Sequence, residues 1–334
     1  MNAKTLDKIK GCLLGVAIGD AMGMPVETLT RKEILAVTGG NGITEFLDPL
    51  NRKDWLKDLK AGDTTDDWQL TRAVAMSLIY SFGYFNPKRC AEEHVFELNR
   101  SLFGWGKTTQ NAIEAIRDGR RVVGIDDLHP SEPGKGCGNG IVMKISPLAI
   151  CNYLKDGFDA KLWYDTKKLG LLTHPDMRAT VSAYAVALSI QGAMGTNRIK
   201  DTEGGLRFLP LVIRLVNEVE CYQNIGHELS EKLALLYTSL ESAESLQNAV
   251  GSGFHAHETA AFAIGTFFRH PQDFRAGILE AVNAGGDTDT NASVVGALIG
   301  ANVGLSQIPA EWKDSHPNFN EPLQVAERLY AVSC

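Results

Sequence analysis

The stretch Gly11-Cys12-Leu13-Leu14-Gly15-Val16-Ala17-Ile18-Gly19-Asp20 sets a glycine at every fourth position of an apolar run. Gly296, Gly300 and Gly304 repeat that spacing near the other end of the chain. On a helix, residues four apart share one face, so each stripe is a groove without side chains. Glycine inside a helix costs about 1 kcal/mol relative to alanine. Its regular recurrence therefore predicts two crowded central helices whose backbones approach closely. Asp20 and Glu27 follow the first stripe, and Asp287 and Asp289 precede the second. The acidic ends of the two helices are expected to be held rigidly near one another.

The segments around these stripes are helical in pattern. Leu70, Val74 and Leu78 recur at four-residue spacing after an acidic start. Leu229, Leu233, Leu236, Tyr237 and Leu240 form a second face, and Ala179, Ala183, Val186, Ala187 and Ile190 a third. Long alternating strand patterns do not occur. A short extended piece, Ile43 to Phe46 after Gly39-Gly40-Asn41-Gly42, is expected to form a small hairpin. No low-complexity linker or composition step divides the chain. The expectation is a single all-α domain over residues 1–334, a compact multi-helix bundle.

The chain has 334 residues, 44% hydrophobic and 22% charged, with 13 Phe, 8 Tyr and 5 Trp. This globular composition excludes a disordered or collagen-like protein. A net charge of −7 leaves no polybasic arm, so stable nucleic-acid binding is not expected. Cys12, Cys90, Cys137, Cys151, Cys221 and Cys334 include no C-x-x-C pair and are too sparse for a disulfide scaffold. Lys4, Lys8 and Lys10 before an apolar run imitate a signal peptide, yet the run is broken by Gly15 and lacks a small-residue cleavage site. Ala292 to Leu305 contains Asn302 and is shorter than the about 20 residues a membrane span needs. A soluble, cytoplasmic protein without a membrane partner is expected.

Chemistry concentrates in two runs, Gly62-Asp63-Thr64-Thr65-Asp66-Asp67-Trp68 and Gly285-Gly286-Asp287-Thr288-Asp289-Thr290-Asn291. Each precedes a helical pattern, where one acidic residue suffices to cap the helix and complement its dipole. The excess of oxygen-bearing residues points to a cation site. Carboxylate and hydroxyl donors without His or Cys select hard cations: Mg²⁺, Mn²⁺ or Ca²⁺. Five or more converging carboxylates repel one another unless more than one divalent ion neutralises them. Such a pair of ions also orients an anionic substrate, which the net charge alone would repel.

Other readings of these letters fail on spacing. An EF-hand loop beginning at Asp287 has Ala292 in place of the glycine at position six and Leu298 in place of the glutamate at position twelve. An aspartyl-phosphatase motif requires threonine where Asn291 stands. Gly106-Lys107-Thr108 ends like a P-loop, but Ser101 replaces its first glycine. His255-Ala256-His257-Glu258 is not a zinc-protease motif. No G-x-S-x-G elbow supplies a serine nucleophile.

On four motifs the sequence resembles the ADP-ribosylglycohydrolase family. Gly11-x-x-x-Gly15-x-x-x-Gly19-Asp20-Ala21-x-Gly23-x-Pro25-x-Glu27 is similar to its opening signature, and Thr65-Asp66-Asp67 to its first metal motif. Gly136-Cys137-Gly138-Asn139-Gly140, followed by Met143-Lys144-Ile145-Ser146-Pro147-Leu148, is similar to its substrate loop. Gly285-Gly286-Asp287-Thr288-Asp289-Thr290 is similar to its second metal motif. The resemblance implies an all-α fold with a binuclear Mg²⁺ or Mn²⁺ centre held by Thr65, Asp66, Asp67, Asp287, Asp289 and Thr290. It implies Glu27, Asp67 and Asp287 as the catalytic set. ADP-ribose contacts are implied for Gly136, Cys137, Gly138, Asn139, Gly140 and His174, with Gly104, Trp105, Gly106 and Lys107 lining the same cleft.

Two departures bear on substrate choice. Trp68 stands where the family motif continues with threonine, so an indole is expected beside the metals, and Cys137 stands where serine is common. The expected reaction is attack of water on the anomeric carbon of the distal ribose, with Glu27 or Asp287 removing its proton. No dedicated general acid is evident, which favours arginine-linked ADP-ribose, whose guanidine leaves readily once protonated. Serine-linked, nucleic-acid-linked or small-molecule ADP-ribose and other nucleotide sugars are the alternatives within the enzyme class. A non-catalytic ADP-ribose binder or a crystallin-like structural protein is the alternative outside it.

Overall fold

A computed structural model describes residues 2–50, 53–100, 104–123, 136–159, 161–195 and 199–333. Ser101 and Cys334, used above, lie outside them. The α-helices in chain order are α1 (Ala3–Gly23), α2 (Arg31–Val37), α3 (Asp66–Tyr80), α4 (Pro87–Arg100), α5 (Lys107–Arg117), α6 (Ser146–Asp156), α7 (Leu162–Thr173), α8 (Met177–Met194), α9 (Thr202–Gln223), α10 (Glu228–Ser239), α11 (Ala243–Val250), α12 (Ala256–Arg269), α13 (Phe274–Val282), α14 (Thr288–Val303), α15 (Ala310–Lys313) and α16 (Asn320–Ser333). About 71% of the structure is helical, with no sheet among the described residues. The fold is all-α, as the periodicities predict.

The glycine stripes explain the centre. A β-carbon at Gly11 would lie 2.5 Å from the Gly300 carbonyl oxygen, one at Gly15 2.1 Å from that of Gly296, and one at Gly19 2.2 Å from that of Ala292. The two helices run antiparallel with their backbones touching. Ala292 thus extends the second stripe toward its acidic end. Gly304 also meets Gly11, where a β-carbon would lie 2.7 Å from the Gly304 carbonyl carbon, and it ends α14 at φ +87°, a conformation open to glycine.

Every residue of α14 is buried. The segment Ala3–Val26, α1 with the turn that follows it, is long and apolar enough to cross a membrane by length and composition, and 94% of its apolar window lies inside the protein. Within this core, Asn302 donates to the carbonyls of Ile199 and Pro271, both at 2.7 Å, and Ser293 donates to that of Val16. The donors interrupting the apolar run are satisfied internally, which avoids the penalty of burying an unpaired donor, while Asn302 Oδ1 is buried without a hydrogen-bond partner.

The faces read from sequence point inward, with one exception. Leu70, Val74 and Leu78 of α3, Leu229, Leu233 and Leu236 of α10, and the whole alanine-rich face of α8 are buried, but Tyr237 is exposed. Ile43–Phe46 forms no hairpin. Its extended backbone is met by one side chain: Asn283 Oδ1 accepts the Ile43 N–H at 2.7 Å and Asn283 Nδ2 donates to the Ile43 carbonyl at 2.9 Å. A single amide thus replaces a partner strand. Bridge pairing occurs only at Thr30–Gly285 and Gly138–His255 among the described residues.

Candidate metal centre and ligand cleft

The N-termini of α3 and α14 meet the C-terminal end of α1. Neither Thr65, the N-cap of α3, nor Asp287, the N-cap of α14, caps its helix with its side chain. For α3 the capping is done from a distance. Asp20 accepts the Thr65 N–H at 2.9 and 3.0 Å, the Trp68 N–H at 3.0 Å and the Thr65 hydroxyl at 2.8 Å. Asp20 belongs to the site although it was absent from the expected ligand set. Its position after the first glycine stripe was the available signal.

Glu27 reaches the same place through a second device. Thr28 donates its N–H to the Gly286 carbonyl at 2.7 Å, and Gly286 donates to that of Leu29 at 2.9 Å. Thr28 holds φ +71°, which a β-branched residue rarely adopts. Gly286 sits so close to Ser252 that a β-carbon would lie 2.4 Å from the Ser252 carbonyl oxygen. That carbonyl accepts the Asp287 N–H at 3.0 Å and the Asn291 side-chain amide at 2.8 Å. Glu27 and Asp287 are thereby fixed on adjoining segments.

Two carboxylate triplets result, Asp20–Asp67–Asp289 and Glu27–Asp287–Asp289, each with oxygens within 4.8 Å of one another and both containing Asp289. Asp66 is half-buried beside them, its Oδ1 packed against Gly104. Thr290 donates its hydroxyl to Asp67 Oδ2 at 3.2 Å, and Asn139 Nδ2 donates to Asp287 Oδ2 at 2.7 Å. Threonine hydroxyls that donate to carboxylates keep their lone pairs for a cation.

Burial first, then the charge of Asp289, pushes Asp20 up to about 7 and Glu27 up to about 8. Burial and neighbouring carboxylates raise Asp66, Asp67 and Asp287 well above the ordinary carboxylate range. So much negative charge in one place favours protons or cations. Asp67 Oδ1 is buried with no hydrogen-bond partner, an arrangement costly for a polar atom unless something else satisfies it. An all-oxygen donor set with an orphaned carboxylate oxygen fits a hard divalent cation.

The carboxylates form one end of a cleft of about 270 Å³. Glu27, Asp66, Asp287, Asp289 and Thr290 line that end; Gly104, Gly106, Lys107, Gly138, Asn139, Gly140 and His174 line the rest, joined by Thr108, Thr109, Met143 and Phe254. Phe254 was not singled out in the sequence, because an isolated aromatic carries no spacing signal. Thr65 and Asp67 lie buried behind this surface.

Several expected contacts fall elsewhere. Trp105 turns into a small apolar cluster with Leu70, Leu98, Ile113 and Met143, and donates its indole N–H to Gln69 at 2.8 Å. Gly136 packs on Pro175. Cys137 is buried, its carbonyl accepting the Ala256 N–H at 3.0 Å, and burial raises its thiol to about 11. Trp68 does not present its indole to the carboxylates. Its Nε1 donates to Glu321 at 3.0 Å on the far side of α3, where Glu321 also accepts from Arg72. The indole that replaces the motif's threonine therefore does not line the cleft.

The ADP-ribosylglycohydrolase family matches over residues 1–334, and the chain belongs to this family of hydrolases acting on glycosidic bonds. Mouse ADP-ribosylhydrolase ARH3 is 24% identical, the match covering 99% of this chain and 93% of the relative. ADP-ribosylarginine hydrolase Tri1 of Pseudomonas putida is 26% identical, with 98% and 79% covered. A solved structure titled ADP-ribosylglycohydrolase-related protein complex is similar at a TM-score of 0.72 and 24% identity, covering 99% of both chains.

Proposed function

We propose that the protein hydrolyses the bond between the distal ribose of ADP-ribose and an acceptor, with arginine-linked ADP-ribose as its substrate. The carrying observation is the pair of carboxylate triplets sharing Asp289, one lining a cleft together with the Gly138–Gly140 backbone and the other buried behind it. Two divalent cations, Mg²⁺ or Mn²⁺, fit these triplets, with Thr65, Asp66 and Thr290 completing the oxygen donors. When bound, such ions hold ribose hydroxyls and lower the pKa of water.

The chain's own groups supply the remaining steps. Glu27 and Asp287 line the cleft and are the carboxylates proposed to remove the proton of the attacking water. Asn139 orients Asp287 through its 2.7 Å hydrogen bond. Glycine backbone at 138–140 lets a pyrophosphate approach its N–H groups. The transition state carries positive charge at the anomeric carbon, which surrounding carboxylates favour.

An arginine acceptor brings its guanidinium to the same acidic end and leaves without a dedicated general acid. The name of the Pseudomonas relative supports this acceptor. A cytoplasmic setting forms part of the proposal, supported by the buried, unbridged thiols Cys12, Cys90, Cys137 and Cys151.

The test is release of ADP-ribose from arginine-, serine- and nucleic-acid-linked substrates with Mg²⁺, Mn²⁺ or EDTA. Metal-dependent release from the arginine-linked substrate is expected. Release confined to another linkage overturns the acceptor, and binding of ADP-ribose without release from any substrate overturns catalysis.

A further inference from the structure

Behind the cleft, Lys144 is fully buried, with no carboxylate among the described residues hydrogen-bonded to it. Its ammonium lies 3.2 Å from His94 Nε2 and 3.0 Å from the Thr173 hydroxyl oxygen. The Thr173 oxygen lies 2.9 Å from His174 Nδ1. At the other end, His94 Nδ1 is 2.7 Å from the Cys90 carbonyl oxygen. These contacts connect α4, the substrate loop and the C-terminal end of α7.

The proton positions follow from one end. A carbonyl only accepts, so His94 Nδ1 carries a proton and Nε2 presents a lone pair. An ammonium only donates, so Lys144 donates to that lone pair and to the Thr173 oxygen. Burial lowers Lys144 to about 8, which keeps it protonated near neutral pH. The Thr173 hydroxyl hydrogen then points to its remaining partner, His174 Nδ1. Nε2 of His174 must carry the ring proton.

The Nε2 edge of the ring faces the glycine loop, a β-carbon at Gly140 falling 2.7 Å from Cε1. The same β-carbon would lie 3.0 Å from Nε2 and one at Gly138 3.8 Å. Burial, reinforced by the Lys144 charge, lowers His174 to about 3, so the ring is neutral and has a single N–H to offer. We propose that Lys144 and Thr173 are positioning residues that lock His174 as the Nε2–H tautomer, a fixed hydrogen-bond donor to an oxygen of the bound ligand. That the ligand is ADP-ribose rests on the proposed function; the tautomer does not.

The experiment is ¹⁵N NMR of histidine-labelled full-length protein without ligand, with ADP-ribose affinity measured calorimetrically in Mg²⁺. His174 is assigned by the resonance lost in His174→Asn. The wild type should show Nε2 protonated and Nδ1 accepting. Thr173→Val, close in shape but lacking the hydroxyl, should move His174 away from that pattern and weaken ADP-ribose about tenfold, the scale of one hydrogen bond. Thr173→Ser should restore both, a rescue that a purely structural role would not require.

A protonated Nδ1 in the wild type, or an unchanged tautomer in both Thr173→Val and Lys144→Met, overturns the relay. A changed tautomer with unchanged ADP-ribose affinity overturns the donor role. Failure of the wild type to bind ADP-ribose overturns the substrate reading instead, while the NMR pattern decides the relay by itself.

Discussion

Gly15 and Gly296 are in backbone contact: a β-carbon on either would lie 2.1 Å from the carbonyl oxygen of the other. The contact fixes the register of α1 against α14, and with it the distance between the acids at their ends. Gly15→Ala is expected to destabilise the protein by about 3 kcal/mol, the upper end of overpacking costs, because the opposing atoms are backbone and cannot rotate away. Urea unfolding checks this, and an unchanged midpoint would contradict a rigid glycine seam.

Asp287→Asn removes one of several mutually repelling carboxylates. The metal-free variant should be at least as stable as the wild type, while losing the thermal upshift that Mn²⁺ produces by binding the folded state. Turnover should fall beyond the about 10–100-fold typical of outer-shell partners. A variant with wild-type turnover and a normal Mn²⁺ upshift would remove Asp287 from the site.

The raised carboxylates also set a pH dependence. Asp20 rises from 3.8 to about 7 and Glu27 from 4.5 to about 8. The folded state then binds more protons than the unfolded chain between those values, so stability declines as pH rises. Without metal, melting temperature should fall from about pH 4 through pH 8, and saturating Mg²⁺ or Mn²⁺ should flatten the decline by replacing the protons. A flat metal-free profile would mean that the carboxylates do not converge in solution.

Asp20 both caps α3 and joins a triplet, and two substitutions separate the roles. Asp20→Asn keeps an oxygen for the Thr65 and Trp68 N–H groups and should weaken divalent binding with little change in metal-free stability. Asp20→Ala removes the cap as well, at about 1 kcal/mol, partly offset by relieved repulsion. Equal metal-free melting temperatures of the two variants would argue against the capping role.

The helical class, the glycine seam and the oxygen-only character of the site were legible in the sequence. Periodicity at Leu70–Leu78 and Ala179–Ile190 is local, and the donor chemistry of Thr65-Asp66-Asp67 or Asp287-Thr288-Asp289 belongs to the residues themselves. Orientation was not legible. Trp68 and Trp105 stand within or beside the motifs, yet both indoles face away from the cleft and donate their N–H groups to Glu321 and Gln69, each far away along the chain.

The sequence by itself determined which segments are helices, which two can touch and which class of cation their acids suit, since these depend on spacing and residue chemistry. Tertiary structure alone decided that Asp20 caps α3 from the end of α1, that Asn283 stands in for a strand beside Ile43, and that Lys144 reaches His174 through Thr173. Each of those relations depends on the direction of a side chain and on what a distant segment offers it, neither of which is encoded in local spacing.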